Sequence, residues 1–263
     1  MSFKVVIPAR YASTRLPAKP LQDIGGLPMV VRVAQQCAKS GAEQIVVATD
    51  HADILKATQD HGFEAVMTRI DHVSGTDRIA EVAQKFTWAD DVIVVNVQGD
   101  EPLIDPSLIA AVANNLRENP TAVMSSACHA IHDYAAFINP NVVKVVLDIN
   151  GHALYFSRAP IPYPRDTFAA SHDIRLTNEP ADAPVALPKD ASIYRHIGVY
   201  AYRVGFLKSY ANLQASVIEQ VESLEQLRVL YHGYKISMFI TPDAPATGVD
   251  TQQDLDLIRK LVG

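Results

Sequence analysis

Val92-Ile-Val-Val-Asn-Val97 is apolar at five of six positions, and its apolar residues do not alternate with polar ones. A strand with one wet face alternates, whereas a strand buried on both faces reads as an unbroken β-branched run. Lys4-Val-Val-Ile-Pro8 and Gln44-Ile-Val-Val-Ala-Thr49 have the same character, and Glu64 to Met67 is a shorter strand. Between these runs lie stretches of helical length with start and stop signals. Pro28 suits the first position of a helix ending at Gly41, and Asp50 can cap one running to about Gly62. Ser74-Gly75-Thr76 leads into a helix to about Trp88, and Asp105-Pro106 opens one to about Arg117. The alternation predicts an α/β fold with a mostly parallel central sheet flanked by helices.

The pattern changes after residue 120. Val142 to Asp148 and Ala153 to Phe156 flank Asn150-Gly151, a hairpin signal. Residues 162–192, rich in Pro, Asp and Ala, read as a long exposed excursion. A strand at Tyr194 to Arg203, helices at about 204–212 and 217–232, a strand at 235–240 and a last helix from Thr251 complete the chain. There is no internal repeat. We read residues 1–263 as one domain, with a first part to about 120 and a smaller hairpin-containing part from about 121 to 263.

The 263 residues carry 23 Lys plus Arg against 29 Asp plus Glu, a formal net charge of −6, and 48% are hydrophobic. That hydrophobic share supports a buried core, and an acidic balance without a basic run argues against a nucleic-acid partner. No run approaches the roughly 18 apolar residues of a membrane span. The apolar stretch at the N-terminus is too short for a signal-peptide core, and Cys37 and Cys128 make neither a disulfide framework nor a four-ligand zinc site. A cytoplasmic protein without membrane insertion is expected.

Candidate chemistry gathers where strands end, since open α/β sheets bind ligands at their carboxyl edge. The segment after the first strand places Arg10, Arg15 and Lys19 within ten residues, beside Pro8 and Ala9. Such a loop can hold a polyphosphate by charge and hydrogen bonding; a solvated surface loop is the alternative. Neither the Walker-type nor the dinucleotide glycine fingerprint is present. After the fourth strand comes Asn96-Val-Gln-Gly-Asp-Glu-Pro102, whose Asp100 is either a ligand for Mg²⁺ carried by phosphates or an acidic turn residue. Asp250, in Gly248-Val-Asp-Thr251, is either a second metal ligand or the cap of the last helix. Ser74 and Arg78 begin a helix whose first amides favour acceptors. Arg158, His196, Tyr200, Glu225 and Gln226 are each weak alone.

Seven motifs in order give these residues a common meaning. Val-Ile-Pro-Ala-Arg-Tyr-Ala-Ser-Thr-Arg-Leu-Pro-Ala-Lys, His-Val-Ser-Gly-Thr-Asp-Arg, Val-Asn-Val-Gln-Gly-Asp-Glu-Pro, Ala-Leu-Tyr-Phe-Ser-Arg, Arg-His-Ile-Gly-Val-Tyr and Leu-Glu-Gln-Leu-Arg, closing on Gly-Val-Asp-Thr, run from residue 3 to about 258. Together they resemble the sugar-acid cytidylyltransferases. The resemblance implies a fold of the nucleotide-diphospho-sugar transferase (Rossmann-like) type, a homodimer, and a role in lipopolysaccharide synthesis. It implies CTP and 3-deoxy-manno-octulosonate (Kdo) as substrates, CMP-Kdo and pyrophosphate as products, and Mg²⁺ as cofactor. The first part would hold CTP, through Pro8, Ala9, Arg10, Arg15, Lys19, Ser74, Arg78, Gln98 and Asp100. The second would serve sugar binding and dimerisation, and Gln98, Arg158, His196, Tyr200, Glu225 and Gln226 match the Kdo pocket. Asp100 and Asp250 would hold the metal, with Arg10, Arg15 and Lys19 completing the catalytic set. Residues 165–193 depart from the family pattern in being longer and richer in proline. Two rivals share the motifs: a cytidylyltransferase for another acid sugar such as sialic acid, and a non-catalytic nucleotide-binding protein of the same fold.

Overall fold

A strand that is apolar on both faces requires a covering layer on each. A computed structural model of the chain supplies both, and it describes residues 2–262 except 14, 73, 167–186, 189–191 and 247. The chain clusters into two compact units, one of residues 1–126, 198–213 and 244–263, the other of 127–197 and 214–243.

The first unit opens with β1 (Lys4–Ala9), a two-residue ribbon of β2 (Asp23–Ile24) and β3 (Leu27–Pro28), and α1 (Met29–Ala38). It continues through β4 (Gln44–Thr49), α2 (Ala52–Asp60), β5 (Glu64–Met67), α3 (Gly75–Lys85), β6 (Ile93–Asn96) and α4 (Pro106–Glu118). β1 pairs in parallel with β4 and β6, and β4 in parallel with β5. The last residues of β10 (Tyr194–Arg203) pair antiparallel with β6, Tyr200 opposite Asn96. The fold is therefore α/β with a mixed, mostly parallel sheet. Val5, Val6, Ile7, Val46, Val47, Val94 and Val95 are wholly buried. Each stabilises the fold by about 1.5–3 kcal/mol relative to exposure. α6 (Val204–Tyr210) and α9 (Gln252–Val262) also belong to this unit.

The second unit contains the expected hairpin, β8 (Lys144–Leu147) against β9 (Ala153–Ser157). Asp148 Oδ1 accepts the amides of Asn150 and His152, and Gly151 takes φ +77°. That left-handed conformation is why glycine follows the asparagine. β8 also pairs with the start of β10, and α5 (Tyr134–Ile138), α7 (Val217–Glu222), α8 (Leu227–Tyr231) and β11 (Ile236–Ile240) complete the unit.

Three local expectations are corrected. Met124–Ala130 forms a strand, β7, that the sequence pattern does not announce. Its Ser125 and Ser126 are buried, and their hydroxyls donate to the carbonyls of Val112 and Val199, which conceals an interior strand behind polar letters. The helix expected over 217–232 is two short helices, broken where Ser223 turns left-handed at φ +52°. Asp50 does not cap α2; His51 does, its Nδ1 accepting the Asp53 amide at 3.2 Å. The excursion read over 162–192 lies mostly outside the described residues.

α3 ends in a strained cap. Trp88 N–H returns to Ala83 O and Thr87 N–H to Gln84 O, both at 3.1 Å, the Schellman pattern. Its left-handed position, usually glycine, is here Thr87 at φ +50°. A β-branched residue is costly there. Thr87→Gly is expected to stabilise the protein by about 1 kcal/mol, raising Tm by roughly 2–4 °C. Thermal unfolding at unchanged activity would check this, and an unchanged or lower Tm would show that the cap is unstrained.

Candidate functional site

β6 stops at Asn96, opposite Val6, while β1 runs on to Ala9 at the rim. Pro8 carries no N–H and lies beyond the last β1–β6 pair, Val6 with Asn96. The turn Gln98-Gly99-Asp100 folds over this gap. A Cβ on Gly99 would lie 2.9 Å from Pro8 O, so only glycine allows this approach. Asp100 is thereby held beside the loop that leaves β1.

A second segment reaches the same place. Val249 N–H donates to Asp100 O at 2.8 Å. Val249 is wholly buried in an apolar cluster with Leu16, Ile24, Met29, Leu255 and Ile258. This cluster draws the loop after β1 and the start of α9 together. At its edge Lys19 Nζ donates to Asp100 Oδ2 at 2.6 Å, to Val249 O at 2.8 Å and to Asp250 Oδ1 at 3.1 Å. An ammonium has three protons, and all are used. Arg15 Nη2 adds a bond to Asp250 Oδ1 at 3.0 Å.

The alternative reading of Asp250 as a helix cap is overturned. Thr251 caps α9 instead: its Oγ1 accepts the Asp254 amide, and Asp254 Oδ2 accepts the Thr251 amide in return. This reciprocal box leaves the Asp250 carboxylate to Lys19 and Arg15. A cavity of about 290 Å³ opens here, lined by Arg10, Arg15, Lys19, Gln98 and Asp100, with Pro8 and Ala9 at its floor. The structure thus brings eight expected residues to one place, counting Asp250 through its ion pairs.

Among the described residues, no cluster of three or more His, Cys, Asp or Glu could hold a metal ion. Two carboxylates sharing one ammonium are nonetheless suitable for a hard dication carried by a polyphosphate, which needs only one or two protein carboxylates. Glu101, which the sequence reading passed over, lies beside Asp100. Burial, with the Asp100 charge second, pushes its carboxyl up to about 7.

Ser74 and Arg78 stand outside the cavity lining. Ser74 Oγ caps α3 by accepting the Asp77 amide at 3.1 Å. Arg78 is wholly buried, donating to Thr68 Oγ1 at 2.5 Å and to Asp50 Oδ2 at 2.9 Å. The other oxygen of Asp50 accepts the Tyr11 amide at 3.1 Å, and the Tyr11 ring stacks on His51 at 3.7 Å. Asp50 therefore joins the basic loop to α3, a role missed in the sequence although a carboxylate just past a strand end signals it.

In the second unit, Arg158 follows β9 and spends Nε on Glu222 O at 2.7 Å and Nη1 on Pro140 O at 3.0 Å. Gln226 is buried, and its Nε2 has no partner among the described residues. Glu225 precedes it at the turn into α8, its carbonyl accepting the Arg228 amide. His196 lies in β10 with its ring edge-on to Phe156, centroids 4.9 Å apart. Tyr200 and Gln98 belong to the first unit.

A family model described as cytidylyltransferase matches residues 4–236. The chain is also similar to a solved structure described as CMP:2-keto-3-deoxy-manno-octonic acid synthetase complexed with CTP. The identity is 41% over 99% of this chain and 98% of that one, with a TM-score of 0.86.

Burial pushes the His196 imidazole down from 6.5 to about 3. Above about pH 6.5 the ring is neutral folded or unfolded, and its stability contribution is whole. As pH falls from there toward 3 only the unfolded chain takes up the proton, so stability is lost. His196→Gln is expected to lose less stability between pH 7 and pH 4 than the wild type, measured by urea unfolding. Parallel pH dependences would show that the ring is solvated.

Proposed function

The chain belongs to the cytidylyltransferase family, and we propose that it activates Kdo with CTP, giving CMP-Kdo and pyrophosphate. One observation carries the reading. Lys19, Asp100 and Asp250, up to 231 residues apart in sequence, meet at the rim of the mostly parallel sheet, beside a cavity that Lys19 and Asp100 line with Arg10 and Arg15.

The chemistry is in-line attack by the anomeric hydroxyl of Kdo on the α-phosphorus of CTP. Phosphoryl transfer of this kind needs positioning and charge neutralisation more than covalent protein chemistry. Arg10 and Arg15, both exposed, offer their guanidinium groups to the triphosphate. Lys19 serves it by turning a proton away from one of its present acceptors. Charge grows on the departing pyrophosphate, so these cations act more strongly in the transition state than in the ground state. Asp100 and Asp250 would hold a divalent cation, for which we assign Mg²⁺; it would neutralise phosphate charge and lower the pKa of the attacking hydroxyl. In the second unit Arg158 takes the sugar-acid carboxylate, while His196, Glu225 and Gln226 read hydroxyls. Ser74 and the first amides of α3 face the cytosine, with Arg78 holding that segment in place. We place the enzyme in the cytoplasm as a homodimer supplying lipopolysaccharide synthesis. The described residues contain no helix long and apolar enough to cross a membrane.

Pyrophosphate release from CTP, Mg²⁺ and Kdo tests the reading directly. Asp100→Asn is expected to abolish turnover with the fold intact, because a neutral amide is a poor ligand for a hard cation. Arg15→Ala should lower kcat/KM for CTP by about 10- to 100-fold, the range for one charge-assisted contact, while the KM for Kdo changes little. Sialic acid should be a poor substrate. Equal use of both sugars would leave only the broader family assignment, and full activity of Asp100→Asn would remove the carboxylate from the mechanism.

A further inference from the structure

Lys144 is wholly buried on β8, and among the described residues no carboxylate lies within ion-pair distance of it. Its ammonium donates to three carbonyls: Asn139 O at 2.9 Å, Val142 O at 2.5 Å and Arg158 O at 2.6 Å. Burial pulls its pKa down, with the Glu222 charge opposing. An apolar residue would fill this position at lower cost, so the ammonium must be retained for what it grips.

What it grips is Arg158, which is held at its carbonyl, amide, Nε and Nη1. Its carbonyl accepts from Lys144, and its amide donates to Glu222 Oε2 at 2.9 Å. Its Nε donates to Glu222 O and its Nη1 to Pro140 O. Ser157 Oγ, one residue earlier, fixes the other Glu222 oxygen at 2.5 Å. The Nη2 edge has no partner among the described residues, so the guanidinium is oriented and still has donors to give. Ordering a free arginine side chain costs up to about 2 kcal/mol, and a fork already ordered avoids that cost on binding.

We propose that Lys144 and Glu222 are positioning residues that set the Arg158 guanidinium to receive a carboxylate at its Nη2 edge, and so determine the affinity for the sugar acid. The inference rests on the reading that this protein activates such an acid. It assigns no contact with substrate to either residue; both act through Arg158.

Glu222→Gln keeps the size of the side chain and removes one acceptor and the charge. Its expected effect is a rise in the KM for Kdo of about 10- to 100-fold, the scale of a small misplacement of a substrate-holding group. The KM for CTP and kcat should change about twofold at most. In an Arg158→Ala background the same substitution should add nothing further, because both changes remove one interaction. Lys144→Met should behave like Glu222→Gln; should it fail to fold, Ser157→Ala, which frees one Glu222 oxygen, takes its place. A purely structural clamp would lower the melting temperature and raise neither KM selectively. An unchanged KM for Kdo, an equal rise for CTP, or a full effect persisting in Arg158→Ala would each overturn the proposal with the functional reading intact. A wild-type protein unable to use Kdo would overturn both.

Discussion

The ammonium of Lys19 between Asp100 and Asp250 is the interaction around which the proposed nucleotide site is built. Two carboxylates brought to one point repel, and the repulsion is largest where water is partly excluded. Lys19 has only 14% of its side chain exposed and satisfies both, together with a main-chain carbonyl. Its three protons are all committed, so it binds a phosphate only by surrendering an acceptor. Anion binding and the loosening of a carboxylate are therefore a single event at this residue.

The supports for that point are mostly apolar or steric. Leu16 and Val249, each within three residues of a charged participant, are buried in one cluster and fix the two loops. Gly99 and Gly248 admit close backbone approaches, to Pro8 O and Asp100 O. Ala18 turns left-handed at φ +48° just before Lys19, a conformation that alanine adopts at a cost. Strain of that kind persists only where the surroundings over-determine it.

Much of this was legible in the amino-acid sequence, because doubly buried strands leave unbroken apolar runs. β1, β4 and β6 stand where Val, Ile and Ala cluster, and the Asn150-Gly151 turn stands where its φ demands glycine. The clustering of Arg15, Lys19 and Asp100 followed from one rule, that strand ends gather at one sheet edge. What escaped had polar letters doing interior work. Ser125 and Ser126 hide a strand by bonding to carbonyls, and Asp50 resembles a cap while binding Arg78 and Tyr11. Asp250 was ambiguous because Thr251, one residue later, is an equally good cap; only the reciprocal bond from Asp254 decides between them. Lys144 gave no signal, since a buried lysine that serves carbonyls is written like any surface lysine.

The two units hold the cations proposed to receive anions in opposite ways. Lys19 is paired with carboxylates and must exchange partners before it can serve a phosphate. Arg158 is bound through neutral carbonyls, which a guanidinium need not surrender in order to use its remaining edge. The difference suits the ligands. A triphosphate brings several charges, enough to compete with Asp100 and Asp250 for an ammonium. A sugar acid brings one carboxylate, which would be a weak competitor for a cation already paired with another. A single charge is bound well only by a donor set fixed beforehand and left electrically unspent, and Arg158, gripped at its amide, carbonyl, Nε and Nη1, is such a donor.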